Sequence, residues 1–191
     1  YIPGTQTNWS SAPEGDTGEM IEEMARNGAA LSQMEEFVGN QICLPPGEEK
    51  NDVRAGMQLA IAHPHAILVD QTGVRYMNEG GSYMAFCKGM LGHQGGNPSW
   101  MVFDDRVLRN YMFADTLSGT KKPRSWVDEG FLKSGATIEE LAYQLAIEPA
   151  VLRATVDRFN GFARANRDED FGRGNRVYDH WLGDKYHKPS A

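Results

Sequence analysis

The apolar positions change period several times along the chain, and each change predicts an element. Ile67, Leu68 and Val69 are a short continuous apolar run of strand character. Gln71-Thr72-Gly73 supplies a turn with glycine where positive φ is needed, and Val74-Arg75-Tyr76-Met77 predicts the returning arm of a β-hairpin. The polar Asn78-Glu79-Gly80-Gly81 then releases the chain into a loop that presents Tyr83. Trp100-Met101-Val102-Phe103 predicts a further strand, with Asp104 as cap for a short helix through Tyr111. Thr137-Ile138-Glu139-Glu140 has the form of a capping box, and Leu141 and Leu145 give the helix after it an inner face. Pro149 opens the longest helix, on which Val151, Leu152, Thr155, Val156, Phe159, Phe162 and Ala163 recur at three- and four-residue steps.

Towards the N-terminus the first 13 residues lack periodicity and predict a loop. Asp16 or Thr17 then caps a helix with Glu19 placed for a capping box, Ile21, Met24 and Ala25 inside, and Gly28 at its end. Residues 44–52 are dense in Pro, Gly and charge, as an exposed loop or domain junction is. The glycine-rich stretch from Gly89 to Pro98 predicts mobility. These elements predict an α+β fold, a small, mainly antiparallel sheet flanked by helices.

Composition narrows the function classes. The 191 residues are 40% hydrophobic, enough to bury one sizeable core, and the formal charge of -7 comes with no basic stripe. Nucleic acid and anionic membranes are therefore not expected partners. No apolar run approaches the ~20 residues of a membrane-spanning helix, and no secretory signal pattern is present; a cytoplasmic location is expected. Cys43 and Cys87 lack metal-like spacing and read as reduced, buried thiols. His63-Pro64-His65 has no third or fourth ligand at a zinc-like spacing, so no metal is expected. Of the paired acids, Asp104-Asp105 and Glu139-Glu140 fall at predicted helix N-termini, and Asp168-Glu169-Asp170 lacks the rest of a calcium loop. Tyr111, Met112, Phe113, Met84 and Phe86 are apolar groups beside loops, as either a pocket or a core requires.

Two segments carry a resemblance. Asp70, Gly73, Arg75-Tyr76-Met77-Asn78-Glu79 and Tyr83 resemble the fumarate reductase and 3-ketosteroid dehydrogenase group of flavoproteins. Arg158-Phe159-Asn160, Asp168, Asp170-Phe171, Arg173-Gly174, Tyr178 and Gly183-Asp184 are similar to a pattern of ketosteroid dehydrogenases whose second half fumarate reductases do not keep. At the place of Tyr83 the resemblance implies, for fumarate reductases, an arginine that clamps a dicarboxylate and delivers a proton. For 3-ketosteroid dehydrogenases it implies a tyrosine of the steroid pocket. Leu59 and Ala62 stand where the reductases carry a glutamate and arginine of a proton relay.

The resemblance thus implies a substrate-binding (cap) domain of an FAD-dependent 3-ketosteroid dehydrogenase, acting on a small apolar ketone and forming a ring double bond by hydride transfer to flavin. Tyr83 is the expected catalytic residue. A tyrosine hydroxyl, with an ordinary pKa of ~10, needs a positive or hydrogen-bonding environment to act as a base. The chain opens at Tyr1 and has no G-x-G-x-x-G between a strand and a helix. It therefore reads as a piece whose FAD is bound mainly by regions outside it, with residues 1–40 as a remnant of, or junction to, the FAD-binding domain and 41–191 as the substrate-binding (cap) domain. In isolation it is expected to be inactive. A fumarate or enoate reductase domain, or a non-catalytic binding domain, is the alternative.

Overall fold

The computed structural model describes residues 4–6, 9–10, 12–13, 15–47 and 55–188. In chain order the elements are α1 (Glu19–Arg26), β1 (Ile42–Cys43), β2 (Ala55–Gly56), α2 (Gln58–Ala62), β3 (Ala66–Val69), α3 (Tyr83–Gly92), β4 (Trp100–Phe103), α4 (Asp105–Asn110), α5 (Ser125–Asp128), α6 (Ile138–Leu145), α7 (Pro149–Ala165) and α8 (Val177–Leu182). Strands pair as two antiparallel ribbons, β1 with β2 and β3 with β4, the second in the register Ala66 to Phe103 through Val69 to Trp100. The α+β expectation holds at this level. No helix among the described residues is long and apolar enough to cross a membrane.

β3 is buried along its whole length, which is why it reads as a continuous apolar run rather than an alternating one. Its period of two still sorts the side chains. Ala66 and Leu68 join Ile61, Phe86, Val107, Phe113 and Trp126 in one cluster, while Ile67 and Val69 join Val102, Ala142, Leu145 and Leu152 in the other. The second cluster is the face of α6 and α7, as the stripe through Leu145 and Leu152 predicted. Thr137 Oγ1 accepts from Glu140 N at 3.2 Å, whereas the Glu140 carboxylate accepts from Ala136 N at 2.8 Å, one residue outside the predicted box.

The predicted hairpin is not formed as a strand pair. Val69 and Arg75 make one isolated bridge, and β3 takes β4 as its partner instead. The reason is visible on the other edge of β3, where Leu68 N donates to Glu79 Oε1 (3.1 Å) and Ala66 O accepts from Arg173 Nη1 (2.9 Å). Two buried side chains occupy the edge that a returning strand would have used. The turn itself is as expected: Gly73 sits at φ 90°, and Asp70 Oδ1 accepts from Thr72 N, Thr72 Oγ1 and Val74 N.

Two further expectations change. The predicted inner face of α1 is largely uncovered, with Ile21 47% and Met24 55% exposed, Ala25 half-buried and the neighbouring Met20 70% exposed, and the helix starts after Gly18 rather than at Asp16 or Thr17. The glycines from 89 to 92 finish α3 rather than form a loop. Gly89 and Gly96 serve close packing, since a Cβ would lie 2.8 Å from Met77 Cε at the first and 2.6 Å from Met90 O at the second. Of the loop expected over 44–52, residues 48–52 lie outside the described residues.

Candidate functional site

Arg75 and Arg173 meet Glu79 and Asp168 in a buried ion network whose formal charges cancel. Arg75 donates through Nε (2.8 Å) and Nη2 (2.7 Å) to Glu79, and through Nη1 (2.9 Å) and Nη2 (2.8 Å) to Asp168. Arg173 reaches Glu79 at 3.3 Å and caps the carbonyls of Ala62, His63 and Ala66. Both guanidinium groups pack on the Phe159 ring, Arg75 at 4.7 Å and Arg173 at 5.5 Å. Burial alone would raise Asp168, but Arg75 and the backbone N–H of Arg173 win and hold it below the usual carboxylate range. Burial alone would lower Arg75, but Glu79 and Asp168 outweigh it and raise its pKa.

This network fixes the path into α3. Glu79 is fully buried, Gly80 and Gly81 follow it in the interior, and Ser82 caps α3 by accepting from Ala85 N. Tyr83 is therefore the first residue of the helix, and side chains there tilt back past the N-terminus. The far end of α3 is tied as well. His93 Nε2 lies 2.9 Å from Asp70 Oδ2, and its ring stacks on Tyr76 at 4.5 Å. Burial pushes the Tyr76 hydroxyl up to about 12, against the lowering hydrogen bond to Ser99 and with Asp70 and Glu79 adding to the rise.

A cavity of about 1820 Å³ lies against the β3–β4 ribbon, larger than the ~300–1,000 Å³ of ordinary ligand sites. α3 offers it Tyr83 and, one turn on, Cys87; β4 and α7 offer Trp100, Met101, Val156 and Phe159. Tyr83 is half-buried there, and its hydroxyl has no protein hydrogen-bond partner among the described residues. Burial pushes Cys87 up to about 11, so its thiol is neutral near pH 7. The Lys and Arg side chains of the lining, among the described residues, are already engaged. Arg106 pairs with Asp104, Arg153 with Glu139, and Lys133 Nζ donates to Gln144 O.

A family described as "FAD binding domain" matches residues 1–191. The chain belongs to this FAD-binding family. It is 33% identical over 198 aligned residues to a 3-oxosteroid 1-dehydrogenase of Mycobacterium tuberculosis, covering 96% of this chain and 33% of the relative. A crystal structure of 3-ketosteroid delta1-dehydrogenase from Sterolibacterium denitrificans, in complex with 1,4-androstadiene-3,17-dione, superposes with a TM-score of 0.85 at 26% identity, over 99% of this chain and 34% of that one. A probable fumarate reductase of Shewanella frigidimarina is 27% identical over 108 residues, 56% of this chain and 17% of the relative. The chain thus spans about a third of the length of the curated steroid dehydrogenase it matches. FAD is the cofactor of the family. Among the described residues every named strand pairing is antiparallel and no glycine-rich strand-to-helix turn occurs, so the cradle a dinucleotide pyrophosphate needs is not formed by them.

Of the apolar residues noted in the sequence, Phe113 reaches the cavity and Phe86 is core at 2% exposure. Met84, Tyr111 and Met112 do not line it. Tyr111 donates to Asp184 at 2.9 Å and stacks on His63 at 4.1 Å, and His65 meets His187 edge-on. No group of three metal-ligating side chains occurs among the described residues. The sequence reading missed the interior role of Glu79, although its spacing of four from Arg75 was the available signal. It also missed Gln41, which lines the cavity at 6% exposure with its Oε1 buried and unpartnered, and Asp179, for which no sequence signal stood out.

Proposed function

We propose that residues 41–191 form the substrate-binding portion of an FAD-dependent dehydrogenase that acts on a neutral, apolar ketone of the 3-ketosteroid type, with residues 1–40 as the junction to the FAD-binding domain. The observation that supports this reading is a tyrosine hydroxyl without a protein partner among the described residues, in the wall of a large apolar cavity whose described Lys and Arg residues are engaged. A dicarboxylate of the fumarate kind would need a cation free to meet it, and tyrosine stands where that cation is expected. The uncovered apolar face of α1 supports the junction role, because Met20, Ile21 and Met24 have nothing to pack on within the described chain.

In this reading the ketone-bearing ring lies against α3. When bound, FAD supplies the hydride acceptor, and its phosphates are held by residues outside this chain. Tyr83 acts at the carbon next to the one that loses hydride and takes its proton as the new carbon–carbon double bond forms, with the positive or hydrogen-bonding groups that a tyrosine base needs contributed from outside the described residues. Trp100, Met101 and Phe159 hold the apolar rings and exclude water. The isolated chain is expected to be inactive.

The test is Tyr83→Phe in the full-length polypeptide, with dye-linked dehydrogenation of androst-4-ene-3,17-dione as the assay. Removing a general base costs roughly 10²–10⁴-fold in kcat. An unchanged kcat removes Tyr83 from the chemistry.

A further inference from the structure

The loop between Glu79 and Tyr83 is gripped from a second side, by the C-terminal segment, at a residue the proton transfer does not use. Asp179 is 6% exposed, and its Oδ2 accepts from Asn78 Nδ2 at 3.1 Å, Gly174 N at 3.0 Å and Arg176 N at 3.2 Å. Asn78 in turn accepts from Gly80 N at 2.8 Å through Oδ1. Gly80 lies flat against Asp179, since a Cβ there would stand 3.1 Å from Asp179 Cβ and 3.2 Å from its Cα. From Gly80 the chain runs through Gly81 and the cap Ser82 directly into Tyr83.

Two buried glycines have little stiffness of their own. The position of the first turn of α3 is therefore set by what holds the residues just before them. Glu79 is held by the two arginines and Asn78 by Asp179, so one anchor is ionic and the other is a carboxylate–amide contact. Only the second also touches Gly80.

We propose that Asp179 is a positioning residue for Tyr83, acting through Asn78 and Gly80 to set where the Tyr83 hydroxyl stands in the cavity. The proposal rests on the reading of Tyr83 as the proton acceptor. A displacement of about 1 Å of a reacting group costs up to ~10² in rate. Loosening this contact therefore lowers kcat, while KM, set by the apolar walls, stays near its parent value.

The experiment uses the full-length polypeptide, loaded with FAD, and androst-4-ene-3,17-dione as substrate. Asn78→Asp puts a second carboxylate against Asp179, and is expected to lower kcat at least about tenfold with KM within about twofold. Adding Asp179→Asn restores an amide–carboxylate pair of reversed polarity and is expected to bring kcat back to within about threefold. Gly80→Ala, which pushes the loop off Asp179 without changing charge, serves if Asn78→Asp does not fold, and is expected to act in the same direction. Tyr83→Phe is measured alongside. If Tyr83→Phe abolishes turnover while folded Asn78→Asp and Gly80→Ala keep the parent kcat, or change KM instead, the positioning role is wrong and the reading of Tyr83 stands. If Tyr83→Phe itself keeps the parent kcat, that reading is overturned and the positioning role with it.

Discussion

Replacing Glu79 by glutamine tests whether the buried network, rather than strand pairing, closes the free edge of β3. Glu79 is fully buried and accepts four hydrogen bonds, from Leu68 N, Arg75 Nε, Arg75 Nη2 and Arg173 Nη1. Glutamine removes one of two negative charges facing two guanidinium groups and turns one acceptor into an NH₂ that points at other donors. Breaking a buried pair on one side costs ~3–5 kcal/mol, because the partner charge is left uncompensated. At ~1.4 kcal/mol per factor of ten, opening of the segment around β3 becomes roughly a hundredfold to a few thousandfold more frequent. Hydrogen exchange at the Leu68 amide in the full-length polypeptide reads this directly, as that amide donates to Glu79 Oε1. Glu139→Gln, which alters the pair with Arg153 far from Glu79, should leave Leu68 exchange unchanged. Parent-like protection of Leu68 in Glu79→Gln would refute the assignment of the edge to the network.

Other substitutions and pH changes follow from the same geometry. Arg75→Lys keeps the charge but cannot make paired bonds to both Glu79 and Asp168, and should cost ~2–3 kcal/mol in denaturant unfolding; a cost near zero would make the fork geometry irrelevant. Gly73→Ala meets a left-handed φ of 90° and Ile147 Cγ2 at 2.6 Å, and should destabilise by ~2–4 kcal/mol, with a crystal structure of the variant showing a displaced turn. His63 is lowered by burial first, with Asp184 opposing and Arg173 adding to the fall. The unfolded chain, with its histidine near 6.5, then binds the extra proton, so stability is complete above that pH and declines as pH falls through it. His63→Phe should flatten this part of a melting temperature–pH curve, and an unchanged slope would exclude His63 as its source. Asp168, held below the usual carboxylate range, contributes stability that is present above pH ~3.9 and is lost as pH falls through its lower folded value. Asp168→Asn should remove that acid limb from the same curve.

What the sequence made legible were elements whose local chemistry and tertiary surroundings agree. Pro149 starts α7, Asp104 caps α4, and Leu145 and Leu152 face the β3–β4 ribbon because period and cap point the same way. The return arm of the hairpin failed for a tertiary reason. Val74 to Met77 has strand character, but Arg75 is drawn inwards to Glu79 and Asp168, the latter 93 residues away in sequence. No local window contains that partner. Tyr83 is singled out only through its motif, since a tyrosine following Gly-Gly-Ser has no periodicity to report. Asp179 was invisible for another reason, an acid set among Val177, Tyr178, Trp181 and Leu182 on a short helix, whose partners Asn78 and Gly80 lie about a hundred residues away. The inner face assigned to α1 was read from a pattern that asks for a partner surface the described chain does not supply.

The proposed role of Tyr83 is to take a proton as a 3-ketosteroid-type substrate is dehydrogenated. Its most direct test is anaerobic mixing of the full-length, FAD-loaded protein with androst-4-ene-3,17-dione, following flavin absorbance in the parent and in Tyr83→Phe. The steroid is expected to bleach the parent flavin, and Tyr83→Phe to slow the bleaching at least about a hundredfold. A flavin that the steroid does not reduce, or that Tyr83→Phe reduces at the parent rate, would contradict it.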